Sequence, residues 1–199
     1  MKIRIALALA LLATPAFQFA QQAAHVEDTI AGITVGKSKL SDVQKKFGTR
    51  LIVDQKQGRH AVKVEGQCEL FFDLEKDDSD APSNMVKNIE LANLGKGAER
   101  GSPCDEFLTG QGFKLSSSPD SITSVYGPSM NALPRDRMTV ARLSNDAYCE
   151  DKHKHAYTAR TFFIEWLSDT KVIQSISTGV EPANCDDLRG TEKSSPRGR

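Results

Sequence analysis

The sequence predicts an α+β fold of two tandem repeats, each a short helical segment packed on an antiparallel β-sheet. Three observations carry that expectation. One pattern, an apolar lead, a polar cap, a brief helix and a closing glycine, occurs twice: as GITVGKSKLSDVQKKFG from Gly32 and as FLTGQGFKLSSSPDSITSVYGP from Phe107. Each copy is followed by short apolar runs of strand character, without the strand and helix alternation that a parallel sheet requires. Each copy also leads to a Cys-Asp pair, Cys104-Asp105 and then Cys185-Asp186.

Ahead of the first copy, Lys2 and Arg4 precede an apolar run from Ile5 to Ala13, then Pro15 and a short stretch ending at Ala20. This is the pattern of a secretory signal peptide, assigned to residues 1–20 with cleavage after Ala20 and with Ala16 and Ala24 as rival sites. The apolar run is shorter than the ~20 residues that span a bilayer. No second long apolar segment follows, and no cysteine lies near the cleavage site to carry a lipid anchor. The expected location is a periplasm or the extracellular space. The rest of the chain divides into a first repeat over 28–104, a second over 105–189 and a polar, basic tail at 190–199, which is expected to be disordered. With 26 basic and 26 acidic residues the formal charge is zero, and no basic stripe interleaves with aromatics. Nucleic acid is therefore an unfavourable partner.

In the first repeat, Ser38 or Ser41 is expected to cap a helix. Gln44 sits three residues after Ser41 as in a capping box, Leu40, Val43 and Phe47 share a face, and Gly48 ends the helix. Strands are expected at Leu51–Val53, around Val62 and Val64, through Leu70, Phe72 and Leu74, and from Val86 to Leu91. Residues 94–103 are glycine-rich and read as the link to the second repeat. There Ser118 is the cap, Pro119 the first helical residue, Ile122, Val125 and Tyr126 a face, and Gly127-Pro128 the stop. Strands follow at Met138–Leu143, Thr161–Leu167 and Lys171–Ser177.

Four cysteines in an exported chain point to two disulfides, for which there are three pairings. Cys68 and Cys104 are separated by the same interval as Cys149 and Cys185, which favours those two bridges, each closing one repeat on itself. The paired phenylalanines at Phe71 and Phe162 stand at different distances from Cys68 and Cys149, so the two cysteines need not occupy equivalent strand positions.

The two helical openings resemble those of the bacterial small outer-membrane-assembly lipoprotein and β-lactamase-inhibitor-protein-like superfamily. In that group a glycine and apolar lead, a Ser or Thr cap, a short helix and a closing glycine precede an antiparallel sheet. Gly127-Pro128 keeps the proline that often follows, whereas Gly48-Thr49-Arg50 lacks it. The resemblance implies a binding or assembly module in which tandem units join in one concave sheet surface. It implies no catalytic residues, and inhibition of β-lactamase does not carry over, because no interface residues match.

Signals for chemistry are few. Ala31 to Ser38 satisfies a loose phosphate-loop pattern, but Ile33 and Val35 place apolar bulk where the backbone must wrap phosphates, and the second copy drops the Gly-Lys. A turn followed by a helix cap is the reading here, and no cofactor is expected. The cluster Cys149-Glu-Asp-Lys-His153-Lys-His155 is the densest set of metal-ligand types. Its two lysines oppose a cation. It carries the alternative reading, an exported hydrolase or metal-binding enzyme built on His153 and His155. The preferred reading is an exported non-catalytic module that binds an unknown protein partner through its sheet face. Phe71 is expected to face away from the helix. In Thr161–Leu167 either Phe162, Ile164 and Trp166 or Phe163, Glu165 and Leu167 do likewise, so Phe71, Phe163 and Trp166 are the candidate partner-binding residues. The sequence does not specify an oligomeric state.

Overall fold

The computed structural model describes residues 26–54, 59–76, 82–144, 149–150, 155–156 and 159–181. The expected leader, the tail and Cys185 lie outside them, as does His153.

The first helix, α1, spans Leu40–Phe47, buries Val43 and Phe47, and stops at Gly48, whose positive φ of 53° suits a residue without a Cβ. Neither Ser38 nor Ser41 caps it. The cap is Lys39, whose N–H donates to the Asp42 carboxylate at 2.8 Å, while Ser38 Oγ accepts the Thr34 N–H at 3.0 Å. The expected box was displaced because Asp42, an anion in the first turn, meets both the orphan donor and the helix dipole. The second helical opening behaves as read. Ser118 Oγ accepts from the Asp120 N–H, Pro119–Ser121 form a single tight turn, and α2 follows over Ile122–Tyr126, ending at Gly127.

The described residues form twelve strands in chain order: β1 Thr29–Ile30, β2 Ile33–Thr34, β3 Leu51–Asp54, β4 Arg59–Val64, β5 Cys68–Lys76, β6 Pro82–Asn93, β7 Asn131–Arg135, β8 Met138–Ser144, β9 Cys149–Glu150, β10 His155–Ala156, β11 Ala159–Leu167 and β12 Ile173–Glu181. Eight of them form one antiparallel sheet in the order β3-β4-β5-β6-β12-β11-β8-β7. The first four are a meander in chain order, and the last four are a second meander entered from its far end. They meet where β12 pairs with β6, with Ile176 opposite Leu91.

Period-2 alternation decides which residues go inside. Leu70, Phe72, Ile89, Leu91, Ile176, Phe162 and Ile164 all project to one face, where they are buried under α1, α2 and the segment around Phe107. Phe47 of α1 packs 5.7 Å from Phe72, and Tyr126 of α2 packs 4.8 Å from Phe162. Both helices therefore cover the same face. Burying Tyr126 requires a partner for its hydroxyl, which Thr109 Oγ1 supplies at 2.8 Å. Desolvation pushes the phenol pKa well up.

The segment 26–39 ties the two meanders together. Ile30 bridges Thr109, Ala31 N–H donates to the Leu108 carbonyl, and Gly36 N–H donates to the Val86 carbonyl. The Glu27 carboxylate is buried and accepts the N–H groups of Thr29 and Gln111, while Thr178 Oγ1 donates to the Glu27 carbonyl at 2.6 Å. Asp28, also buried, receives Arg160 at 2.8 Å. A Cβ on Gly110 would stand 2.8 Å from Glu27 Oε1, so glycine is required for this carboxylate to reach its donors.

Of the two expected disulfides, Cys68–Cys104 is present. It fastens the start of β5 to the turn at 103–106, so the expected link over 94–103 is held against the sheet, with Gly97, Ser102 and Cys104 buried. The proposed partner of Cys149 lies outside the described residues.

Candidate functional site

The helices cover one face of the eight-stranded sheet, and no described helix packs on the other. One residue from each strand lines up across that open face: Ile52, Ala61, Phe71, Glu90, Ser177, Phe163, Arg142 and Asn131. The row holds an aromatic in each meander, Phe71 on one side and Phe163 on the other, with Glu90 and Ser177 between them.

The three sequence-derived candidates do not share one fate. Phe71 and Phe163 lie on the open face, whereas Trp166 does not. Trp166 stands opposite Ile173 and Thr139 on the helix side and is 5% exposed. The choice between the two sets in β11 falls to Phe163, Glu165 and Leu167, because Phe162 and Ile164 are required in the core. Trp166 is thereby corrected to a core residue. Its indole N–H finds no acceptor among the described residues.

Phe71 also departs from expectation, because it is covered on the face where exposure was expected. The Arg59 guanidinium lies 4.4 Å from its ring centroid. Arg59 is itself fixed by two bonds to Asp73, at 2.6 and 3.0 Å, and one to Glu90 at 2.9 Å, and Asn88 adds a donor to Asp73 at 3.1 Å. Burial opposes the charge on Arg59, but these carboxylates outweigh it and raise the pKa above its ordinary value. The arginine stem and plane thus form a lid over the ring, and Phe71 is 7% exposed.

Phe163 has the same kind of neighbour without the lock. Arg142, directly opposite it on β8, lies 5.4 Å from the ring centroid. Among the described residues no carboxylate pairs with Arg142, which is exposed, and Phe163 is half-buried. Toward the β7–β8 turn the face continues with Leu133 opposite Val140 and with Arg135 opposite Met138, itself opposite Leu167. Leu133 is 57% exposed. Sequence reasoning missed Arg59, Arg142 and Leu133. Alternation puts Arg59 on the face opposite His60 and Val62, but placing it over Phe71 requires a cross-strand register that no local pattern reports. Strand β7, with Pro134 inside it, gave no usable strand signal.

At Gly36-Lys37-Ser38 the N–H of Gly36 is bonded to Val86, and those of Lys37 and Ser38 to the Thr34 carbonyl. The donors a phosphate would need are engaged in a turn, and the short helix that follows, α1, packs on an antiparallel sheet. In the histidine cluster, the backbones of Cys149 and Glu150 pair with those of Ala156 and His155, and residues 151–154 lie outside the described residues. Among the described residues, no group of three His, Cys, Asp or Glu side chains is arranged to hold a metal ion. No described helix is long and apolar enough to cross a membrane.

Compared with family models, curated proteins and solved structures, the chain matches none.

Proposed function

We propose that the protein is an exported, non-catalytic binding or assembly module that engages a protein partner through the open face of its sheet. The single observation behind this reading is the face itself. An eight-stranded antiparallel sheet buries one side under both helices and presents on the other a continuous row with Arg59 covering Phe71, then Glu90, Ser177, Phe163 and Arg142. A surface that is broad, fixed by backbone pairing and mixed in polarity suits recognition of another protein better than turnover of a small substrate. Export is supported by the Cys68–Cys104 disulfide, a linkage that persists in oxidising compartments.

The same proposal takes the two halves as tandem repeats. In its favour are the mirrored strand order about the β6–β12 pair and the pairing of the two helical leads, Ile30 with Thr109. The Arg-over-Phe arrangement also recurs in each half.

The test is affinity capture from the native envelope or culture fluid with the full chain and with Ser177→Arg, which places a bulky cation at the centre of the open face. A partner retained by the natural chain and lost by the variant is the expected outcome. A partner retained equally by both sets the sheet face aside, and stoichiometric zinc or copper in the purified protein favours the alternative enzyme built on His153 and His155.

A further inference from the structure

Resting on that reading, we infer that the contact is centred on the β7–β8 corner of the open face and that its occupant is an acidic protein segment carrying an apolar side chain. Charge distinguishes the two sides of the open face. On the β4–β5–β6 side two cations are paired internally: Arg59 holds Asp73 and Glu90, and Lys63 pairs with Glu69. On the β7–β8 side, Arg135 and Arg142 are exposed and have no carboxylate partner among the described residues, and Arg137 in the adjoining turn is likewise exposed and unpaired. Asp136 opposes them on that hairpin, and Glu165, opposite Val140 on β11, opposes them from the adjoining strand, where its carboxylate accepts from Ser175.

Apolar surface coincides with the free charge. Leu133 is 57% exposed, and Met138, Val140 and Leu167 are half-buried around it. A leucine left in water beside unpaired arginines is the pattern of an anchor point ringed by charges. Carboxylates flanking an apolar residue complement it, and guanidinium forks bind carboxylates in two-pronged fashion.

The mode of contact is limited by Pro134. In a hairpin closed by a two-residue turn, the flanking pair, Arg135 and Met138, is the hydrogen-bonded one, so Pro134 directs its backbone away from β8. It has no N–H to offer there, which discourages strand addition along the β7 edge. The partner is therefore read by side chains on the face. Ser144, Ala159 and Glu181 all lie at the opposite end of their strands from the Asp136–Arg137 turn.

An anionic membrane surface also attracts arginine and leucine, but it covers a whole face. Over that footprint Glu69, Asp73 and Glu90 also oppose the basic residues, whereas a narrow segment at the corner meets Arg135, Arg137 and Arg142 against Asp136 and Glu165, since charges beyond about 8 Å are screened at physiological salt.

The experiment is selection of short random peptides displayed on phage against the immobilised full chain, repeated on Arg142→Glu and on Leu133→Ser. Unchanged urea midpoints establish that both variants fold. The expected result is enrichment of peptides with Asp or Glu beside apolar residues, bound at least about tenfold more weakly by either variant. The inference is overturned by enriched peptides that are basic, by enriched peptides that neither variant weakens, or by no enrichment at all. It is also overturned if phosphatidylglycerol vesicles bind in an Arg142-dependent way while peptides do not. Peptides lost on Ser177→Arg but kept by Arg142→Glu remove only the corner assignment and leave the binding face standing.

Discussion

The two meanders of the sheet present the same pair of side chains on the open face and treat them differently. In β4–β5, Arg59 lies over Phe71 and is clamped by Asp73 and Glu90, so both ring and charge are consumed internally. In β8–β11, Arg142 lies over Phe163 with no clamp among the described residues. An arginine on a sheet face is thus not a site by residue type. Whether cross-strand neighbours neutralise it decides between a structural lid and an available contact.

That difference should be confined to the open face. Truncating Phe72 in the first meander or Phe162 in the second, both fully buried on the helix side, is expected to cost about 3–5 kcal/mol each in urea unfolding. A large inequality would mean that the halves differ in their cores as well. The next effect belongs to the first meander alone. Cys104→Ser removes the described bridge and should lower stability by about 3 kcal/mol.

The comparison itself is tested by its two arginines. Arg59→Ala uncovers Phe71 and leaves Asp73 and Glu90 without their cation, so a loss of roughly 1–2 kcal/mol is expected. Arg142→Ala should stay within about 0.5 kcal/mol, as for a surface side chain with no partner to abandon. Equal costs would erase the distinction between lid and contact.

A smaller effect concerns pH. Burial of Tyr126 raises its pKa above the ordinary phenol value of 10.0. The neutral phenol is therefore favoured in the folded state. Its contribution is complete below the unfolded pKa and declines as pH climbs from there toward the raised folded value. Tyr126→Phe should flatten that alkaline decline in urea midpoints, at a cost of about 1 kcal/mol for the hydrogen bond to Thr109.

Much of the architecture was legible because it is local. The helix stops at Gly48 and Gly127, the phase of Leu70 and Phe72 and the strands from Met138 and Thr161 all follow from spacing and turn chemistry. The Cys68–Cys104 bridge was legible from spacing together with an expectation of export. What could not be read depends on long-range pairing. The β6–β12 seam joins Leu91 to Ile176, and nothing local in either strand names the other. The side to which Trp166 points was open until the core claimed Phe162 and Ile164, and the cap at Lys39 was hidden because Asp42 outcompeted Ser41. The open face suffered most, since Arg59 reaches Phe71 only through register.

The central claim, that the open sheet face meets a protein partner, is tested most directly by photo-crosslinking from that face. A photoreactive residue placed at Ser177, at the centre of the row, is compared in the native compartment with one at Ser124 on the exposed side of α2. The account predicts one discrete crosslinked partner from position 177 and none from 124. The same partner from both positions, or from 124 alone, would contradict it.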